Sequence, residues 1–239
     1  MPASILKFKW KQRLLGEHAL MFYLPEQMDT RTSLEIKNFN DFLVSKNLPE
    51  LNDIIPSYHT LTLIYKIELI NDPLKFANNL IEEYLVQTLT TKEDLFHKNI
   101  IEVPVCFDEN FGFDLKNISD QFNLSVAEII EIYTEKIYQV YCLGFMPGFA
   151  YMGEVPSKIQ IPRHNKPRKN VTAGSVGIAG PQTGIYPMNS PGGWQIIGRT
   201  PLKIFDMHPA ILSKFKMGDQ VKFYSISFAE FDTLNEHGN

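Results

Sequence analysis

Residues 172–198 read TAGSVGIAGPQTGIYPMNSPGGWQIIG, a segment in which short apolar runs alternate with glycine and proline. The runs are too short for helices, and glycine and proline separate them as turns separate strands. Similar runs recur through the C-terminal half, at 138–143, 175–179, 195–198, 202–205 and 220–226. This pattern predicts a C-terminal β-barrel or β-sandwich.

The glycine content of this segment has two interpretations. Seven of the 14 glycines of the chain lie between Gly174 and Gly198. Because glycine weakens a strand interior, this density indicates either tight barrel corners or backbone that a ligand approaches closely. On the second interpretation, polar groups of the segment and the flat wall of an indole would bind a small ligand. The candidate substrate-binding residues are His164, Gly174, Gly180, Gln182, Thr183 and Trp194.

The first hundred residues alternate between strand and helix patterns. Strands are expected at 5–11, 19–24 and 60–67, with one helix capped by Ser33 and another that begins at Asp72-Pro73. Two helices on one face of an antiparallel sheet predict a ferredoxin-like α+β domain. The polar stretch 92–99 marks a boundary, so we predict an N-terminal domain at 1–98 and a C-terminal domain at 99–239.

Two local signals open the second domain. The apolar run 100–107 is expected to be an edge strand, because Pro104 cannot donate a ladder hydrogen bond. Ser125 and Glu128 have the spacing of a capping box, so a helix is expected to begin there.

Composition excludes several classes of protein. The chain has 239 residues, of which 44% are hydrophobic and 21% charged, so disorder and fibrous folds are excluded. A net charge of −4 argues against nucleic-acid binding. The sequence shows no secretory signal and no membrane helix, and two isolated cysteines favour a reducing compartment. We therefore expect a cytoplasmic protein without nucleic-acid or membrane partners and without a tightly bound metal.

Charge is distributed unevenly along the chain. No Asp or Glu occurs between residues 155 and 205, whereas seven Lys and Arg residues do. A segment of one sign inside an acidic protein indicates a site for a small anionic ligand, although the cations could equally pair with acids from elsewhere in the fold.

The arginines of this segment are the candidate catalytic residues. Arg163 and Arg168 lie in a loop stiffened by prolines, and Arg199 follows a long uncharged stretch. Guanidinium groups bind carboxylates and phosphates in bidentate geometry, although structural bonds to loop carbonyls would also explain Arg199. We expect Arg163, Arg168 and Arg199 to converge on one pocket floored by residues 174–184. The sequence contains no phosphate-binding loop, nucleophile elbow or zinc-protease motif.

The same segments resemble a known family. VYCLGFMPGFAYMGEV, PRHNKPRKNVTAGSVGIAGPQTGIYP and SPGGWQIIGRTPLKIFD look like the signature blocks of the B-subunit family of 5-oxoprolinase, which also carries the names allophanate hydrolase subunit 1 and sporulation histidine-kinase inhibitor. LGEHAL, IEVPVCFDENFGFDL and MGDQVKF fit as well, so the resemblance spans essentially the whole chain. It implies an N-terminal α/β domain followed by a cyclophilin-like β-barrel.

The resemblance also implies a reaction. It points to one component of a prokaryotic ATP-dependent 5-oxoprolinase, which opens 5-oxoproline to L-glutamate together with the A and C subunits and is inactive alone. ATP, with Mg²⁺ shared by the complex, would activate the lactam carbonyl. Because substrate and nucleotide are both anionic, the three arginines would neutralise developing charge, a role that the family pattern does not itself assign.

Some positions depart from the family, and other functions remain open. Family members usually have Arg in place of His164 and a His-Ser pair in place of Tyr133-Thr134. The alternative function is inhibition of a sensor histidine kinase, for which exposed aromatic residues such as Phe145, Phe149 and Tyr151 would form the contact surface. A prolyl isomerase activity would rest on fold analogy alone.

Overall fold

A computed structural model describes residues 9–25, 29–90, 100–206 and 213–237. The chain divides into two compact units, residues 1–97 and 98–239. Most of the strand expected at 5–11 lies outside the described residues. In the described part of the chain, no helix is both long and apolar enough to cross a membrane.

The first unit is a four-stranded antiparallel sheet with two helices. Its elements are β1 (Lys11–Leu14), β2 (Ala19–Tyr23), α1 (Thr30–Lys46), β3 (Leu51–Pro56), β4 (Thr60–Tyr65) and α2 (Pro73–Thr90). The sheet order is β1-β2-β4-β3. The α+β class is as predicted, whereas the finer ferredoxin-like assignment stays a prediction.

The helices of this unit begin close to their expected positions. The carboxylate of Asp29 caps α1 by accepting a hydrogen bond from the Thr32 N–H, so the helix starts three residues before the cap predicted at Ser33. In α2, Asp72 accepts from the Lys75 N–H and Pro73 occupies the first helical position, as predicted.

The second unit is a closed barrel with surrounding helices. Its elements are β5 (Ile100–Cys106), α3 (Leu115–Phe122), α4 (Val126–Glu135), β6 (Ile137–Leu143), β7 (Ala150–Gly153), β8 (Arg168–Val171), β9 (Ser175–Ala179), β10 (Gln182–Ile185), β11 (Ser190–Gly192), β12 (Gln195–Arg199), β13 (Gln220–Ile226) and α5 (Phe228–His237). Seven strands close in the order β10-β7-β6-β13-β5-β12-β9, and β8 and β11 form a separate two-stranded antiparallel sheet. The predicted barrel is thus confirmed, and the capping box that opens α4 is present.

Two details of the barrel differ from the sequence predictions. The run 100–107 is not an edge strand, because β5 lies between β13 and β12. It accommodates Pro104 because its ladder with β12 is limited to the pair Cys106 and Arg199, so no bond to β12 is lost at the proline. Residues 202–205 form no strand.

All seven barrel strands contribute to one apolar core. Each strand contributes at least one side chain that is at most 1% exposed: Val105, Val140, Met152, Val176, Ile185, Ile197 and Phe223. Residues of α3 and α4, including Tyr133, join the same cluster. Since every strand points alternate side chains into this cluster, the remaining side chains face outward, where the candidate site lies.

Candidate functional site

An aromatic cluster covers the outward face of β9, β10 and β12. It consists of buried Phe149, Val171, Tyr186 and Ile196 with partly buried Met146, Tyr151 and Trp194. The two cross-strand partners Gly177 and Gly184 provide its floor. A Cβ atom at Gly184 would approach the Phe149 ring to 3.1 Å, and one at Gly177 would approach the Trp194 Cβ to 3.0 Å. These two glycines therefore make room for aromatic packing, an explanation that the sequence analysis missed.

A tight turn presents Phe145 at the margin of this cluster. The Met146 N–H donates to the Gly144 carbonyl at 2.8 Å, and Phe145 between them has φ of 67°. A bond across three residues with positive φ at the centre defines a classic γ-turn, which is strained for a residue with a side chain. Phe145 is 64% exposed, whereas Phe149 is buried, so the exposure expected for Phe149 is wrong.

The segment 108–114 joins the barrel wall to α3 and contacts two of the candidate arginines. The Asp114 N–H donates to the Ile196 carbonyl of β12 at 2.9 Å. Gly112 permits this close approach, because a Cβ there would lie 2.6 Å from the Ile197 carbonyl oxygen. The segment then places Phe111 near Arg199 and Asp114 near Arg168.

Asp114 is a buried carboxylate that binds Arg168 and His164. Its Oδ1 accepts from Arg168 Nη2 at 2.6 Å and lies 3.2 Å from His164 Nε2, while Oδ2 accepts from the Ile196 N–H at 2.6 Å. Although Asp114 immediately precedes α3, its side chain makes no capping bond to that helix. The charge of Arg168 is therefore neutralised within the protein, and one anion holds both candidate residues.

Arg199 is held differently. Its guanidinium lies over the rings of Phe111 and Phe231, with carbon-to-centroid distances of 5.6 and 5.7 Å, and its Nε donates to the Ala173 carbonyl at 2.9 Å. Desolvation lowers the pKa of Arg199 from its ordinary value. No carboxylate pairs with it among the residues that the structure describes. A partly desolvated cation without a protein anion is typical of a site that receives an anionic ligand.

The three arginines do not share a partner. Arg163 is exposed and has no hydrogen bond or ion pair within the described ranges. Arg168 is bound by Asp114, and Arg199 lies between two rings. The aromatic cluster occupies part of the floor expected at 174–184, and the convergence of the three arginines on one pocket stays a prediction. The sequence left open whether Arg199 bonds a loop carbonyl or binds an anion. In the structure it bonds the Ala173 carbonyl and also keeps a charge that no acid of the described residues compensates.

The remaining candidate residues have mixed placements. Gly174 has φ of 83° and lies against Thr200, whose carbonyl oxygen would collide with a Cβ at that position. Gly180 has φ of 59° and occupies the two-residue turn between β9 and β10. Backbone conformation thus favours glycine at both positions, and at Gly174 the close approach of Thr200 does so as well. Trp194 lies in the aromatic cluster and its carbonyl accepts from Arg168 Nη1 at 3.4 Å, and Gln182 is half-buried on β10.

Thr183 and Tyr133 form a hydrogen-bonded pair in the barrel core. Thr183 Oγ1 donates to the Gly177 carbonyl at 2.9 Å, so the Tyr133 hydroxyl donates to Thr183 Oγ1 at 2.7 Å. Burial raises the pKa of Tyr133, which keeps the hydroxyl protonated. Both residues are 0% exposed. This geometry gives Thr183 a structural position instead of the substrate contact we expected. Tyr133, which stands where family members usually have His, is buried and lies away from any exposed site.

Replacing Tyr133 with phenylalanine tests this assignment. We expect the melting temperature to fall by roughly 2–4 °C, since one buried hydrogen bond contributes about 1 kcal/mol in a unit of this size. Any ligand binding or catalysis in which the chain takes part should remain unchanged. A large loss of turnover in a Tyr133→Phe protein that melts normally would show that the hydroxyl acts in the reaction.

A metal-binding cluster is not evident at these positions. Among the described residues, no group of three or more His, Cys, Asp or Glu side chains is arranged to hold a metal ion.

The site residues that sequence reasoning missed are Asp114, Phe111 and Phe231. Nothing local in the sequence distinguishes Asp114 from other surface acids, and the two phenylalanines are indistinguishable in sequence from core residues.

Comparisons with known proteins identify relatives along most of the chain. The family model for the carboxyltransferase domain, subdomain C and D, matches residues 10–212. The 5-oxoprolinase B subunit of Bacillus subtilis is 34% identical over 94% of this chain and 96% of the relative. The corresponding protein of Escherichia coli O157:H7 is 36% identical over 88% of this chain and 93% of the relative.

A solved structure shares the fold. The Kluyveromyces lactis urea carboxylase superposes with a TM-score of 0.74 over 100% of this chain and 24% of that chain, at 18% identity. This likeness concerns the fold alone. The sequence matches to the 5-oxoprolinase B subunits extend over nearly their full length. The chain therefore belongs to the family of the carboxyltransferase domain, subdomain C and D, and within it to the B subunits of 5-oxoprolinase.

Proposed function

We propose that this chain is the B subunit of an ATP-dependent 5-oxoprolinase that opens 5-oxoproline to L-glutamate together with the A and C subunits. The observation that carries the proposal is the match to B subunits over almost their whole length. The partly desolvated, uncompensated charge of Arg199 supports it, because the substrate and the nucleotide are both anions.

The chemistry requires an activated lactam. Transfer of the γ-phosphoryl group of ATP to the lactam oxygen would make C5 electrophilic, and attack by water would open the ring and release phosphate. Arg199 suits phosphate or carboxylate oxygens, since its Nη groups lie beside two rings and no protein acid occupies them in the described ranges. We assign the exposed Arg163 to the same anion and Arg168 to the substrate. Mg²⁺ would be shared by the complex, and among the described residues of this chain no group of three or more potential ligands is arranged to hold a metal ion.

The same proposal includes the finer fold assignments and the location. The four-stranded antiparallel sheet and two helices of the first unit support a ferredoxin-like domain whose element order, β-β-α-β-β-α, is a circular permutation of the usual β-α-β-β-α-β. The closed barrel supports the cyclophilin-like assignment. A cytoplasmic location fits an enzyme that consumes ATP.

Reconstitution tests the function directly. We expect the purified chain to hydrolyse neither 5-oxoproline nor allophanate, because its anion site is only part of the catalytic machinery. Addition of the A and C subunits should produce ATP-dependent release of glutamate, measured by coupled assay. ATP-dependent turnover by the isolated, contaminant-free chain would contradict the first expectation, and an inactive mixture of all three subunits would contradict the function.

A second candidate function rests on Phe145. A strongly exposed aromatic side chain in a strained turn, supported by the Phe149 ring at 5.6 Å, is suited to anchor a protein partner. The partner would be another subunit in the enzyme or, in the alternative function, a sensor histidine kinase that the chain inhibits.

A further inference from the structure

His164 and Arg168 are held side by side by one oxygen atom. Asp114 Oδ1 lies 2.6 Å from Arg168 Nη2 and 3.2 Å from His164 Nε2. The Asp114 side chain is 6% exposed, whereas those of His164 and Arg168 are 28% and 30% exposed. The carboxylate thus lies beneath two groups that reach the surface, and it fixes their separation.

The contact with Asp114 determines which nitrogen of His164 carries the proton. A carboxylate that already accepts bonds from Arg168 and from the Ile196 N–H has no proton to give, so His164 Nε2 must donate. In the neutral imidazole the proton then resides on Nε2, and Nδ1 is an acceptor. Nδ1 has no hydrogen-bond partner in the described portion of the chain.

Arg168 supplies donors on the other side of Asp114 Oδ1 from His164. Its Nη2 and Nη1 bind Asp114 and the Trp194 carbonyl, which engages two of the five guanidinium hydrogens. The backbone also fixes the loop, because the His164 N–H donates to the Gly193 carbonyl at 2.6 Å. The result is a partly exposed pair in which the guanidinium of Arg168 and the imidazole of His164 contact the same carboxylate oxygen of Asp114.

We propose that Arg168 and His164 recognise a small ligand that carries a carboxylate next to an N–H donor, with Asp114 as their positioning residue. Arg168 binds the carboxylate, and His164 Nδ1 accepts from the N–H. The identity of the ligand rests on the proposed function: it is 5-oxoproline, whose lactam N–H is attached to the carbon that bears the carboxylate. This pair then distinguishes lactams from the corresponding lactones, in which oxygen replaces N–H and would face the Nδ1 lone pair.

Ligand binding to the full isolated chain tests the proposal. At pH 8, where imidazoles are ordinarily neutral, calorimetry or NMR titration should show 5-oxoproline binding about tenfold more tightly than 5-oxotetrahydrofuran-2-carboxylate. His164→Ala should abolish this preference, and Arg168→Ala should weaken both ligands about tenfold or more. Lys166→Ala removes an exposed cation from the same loop and should change neither affinity, which makes it the matched control.

A measurement on the unmodified chain protects the test against variants that fail to fold. Long-range ¹H–¹⁵N spectra should show the His164 proton on Nε2 at pH 8. A proton on Nδ1, equal affinity for lactam and lactone, or absence of 5-oxoproline binding overturns the inference. None of these results bears on glutamate release by the reconstituted complex, so failure of the inference and failure of the proposed function remain distinguishable.

Discussion

Replacing Arg199 with alanine should slow the reconstituted enzyme by about 100-fold, the loss expected when a hydrogen bond to a charged group disappears from the transition state. Arg199→Lys should recover little, because the Nε bond to the Ala173 carbonyl and the planar donors over Phe111 are lost together. Steady-state turnover of 5-oxoproline by the assembled subunits measures the effect.

Two controls give this result its meaning. Lys203 is a cation of the same segment that pairs with Asp206 at the surface, so Lys203→Ala should leave turnover unchanged. Phe145→Ala should leave intrinsic catalysis intact but weaken association with a protein partner by roughly 2 kcal/mol. If a well-folded Arg199→Ala variant keeps full activity while Phe145→Ala abolishes partner binding, the catalytic role fails and the binding function gains support.

Replacing Asp114 with alanine should lower the free energy of unfolding by about 2–3 kcal/mol, less than for a fully buried ion pair because Arg168 can regain water. The substitution also leaves the Ile196 N–H without its acceptor. Urea denaturation, followed by fluorescence and circular dichroism, measures the loss.

The matched control for this prediction is Asp120, which pairs with Lys116 on the exposed surface of α3. Asp120→Ala should change stability by less than about 0.5 kcal/mol, since exposed ion pairs contribute little. Equal effects at the two positions would mean that Asp114 is not the anchor of the site.

The sequence predicted features that depend on neighbouring residues. The strands at 175–179 and 220–226 and the capping box of Ser125 and Glu128 match the structure, because periodicity, turns and caps are local signals. The resemblance of the glycine-rich and neighbouring segments to known proteins predicted the family as well. Arginines were sensible candidates for an anion site, and two of them do occupy specific, partly buried positions.

Features that depend on contacts between distant segments were missed. Pro104 indicated an edge, but barrel closure brings a strand to each side of β5. Asp114 binds residues 50 and 54 positions away, and Phe231 reaches Arg199 from α5. Thr183 was a candidate ligand contact because its polarity is visible in the sequence, whereas its burial beside Tyr133 is not.

The parallel pairing of β5 with β13 sets the order in which the barrel can be completed during synthesis. The paired residues, Ile100 with Gln220 through Cys106 with Ile226, lie 120 positions apart. A ribosome has therefore made almost the entire second unit before β13 is available to fill the gap between β5 and β6. Until then the apolar wall has two open edges, and Phe231 has not reached Arg199. We therefore expect the unfinished barrel to be prone to aggregation until β13 has emerged, and the contact between Phe231 and Arg199 to form last.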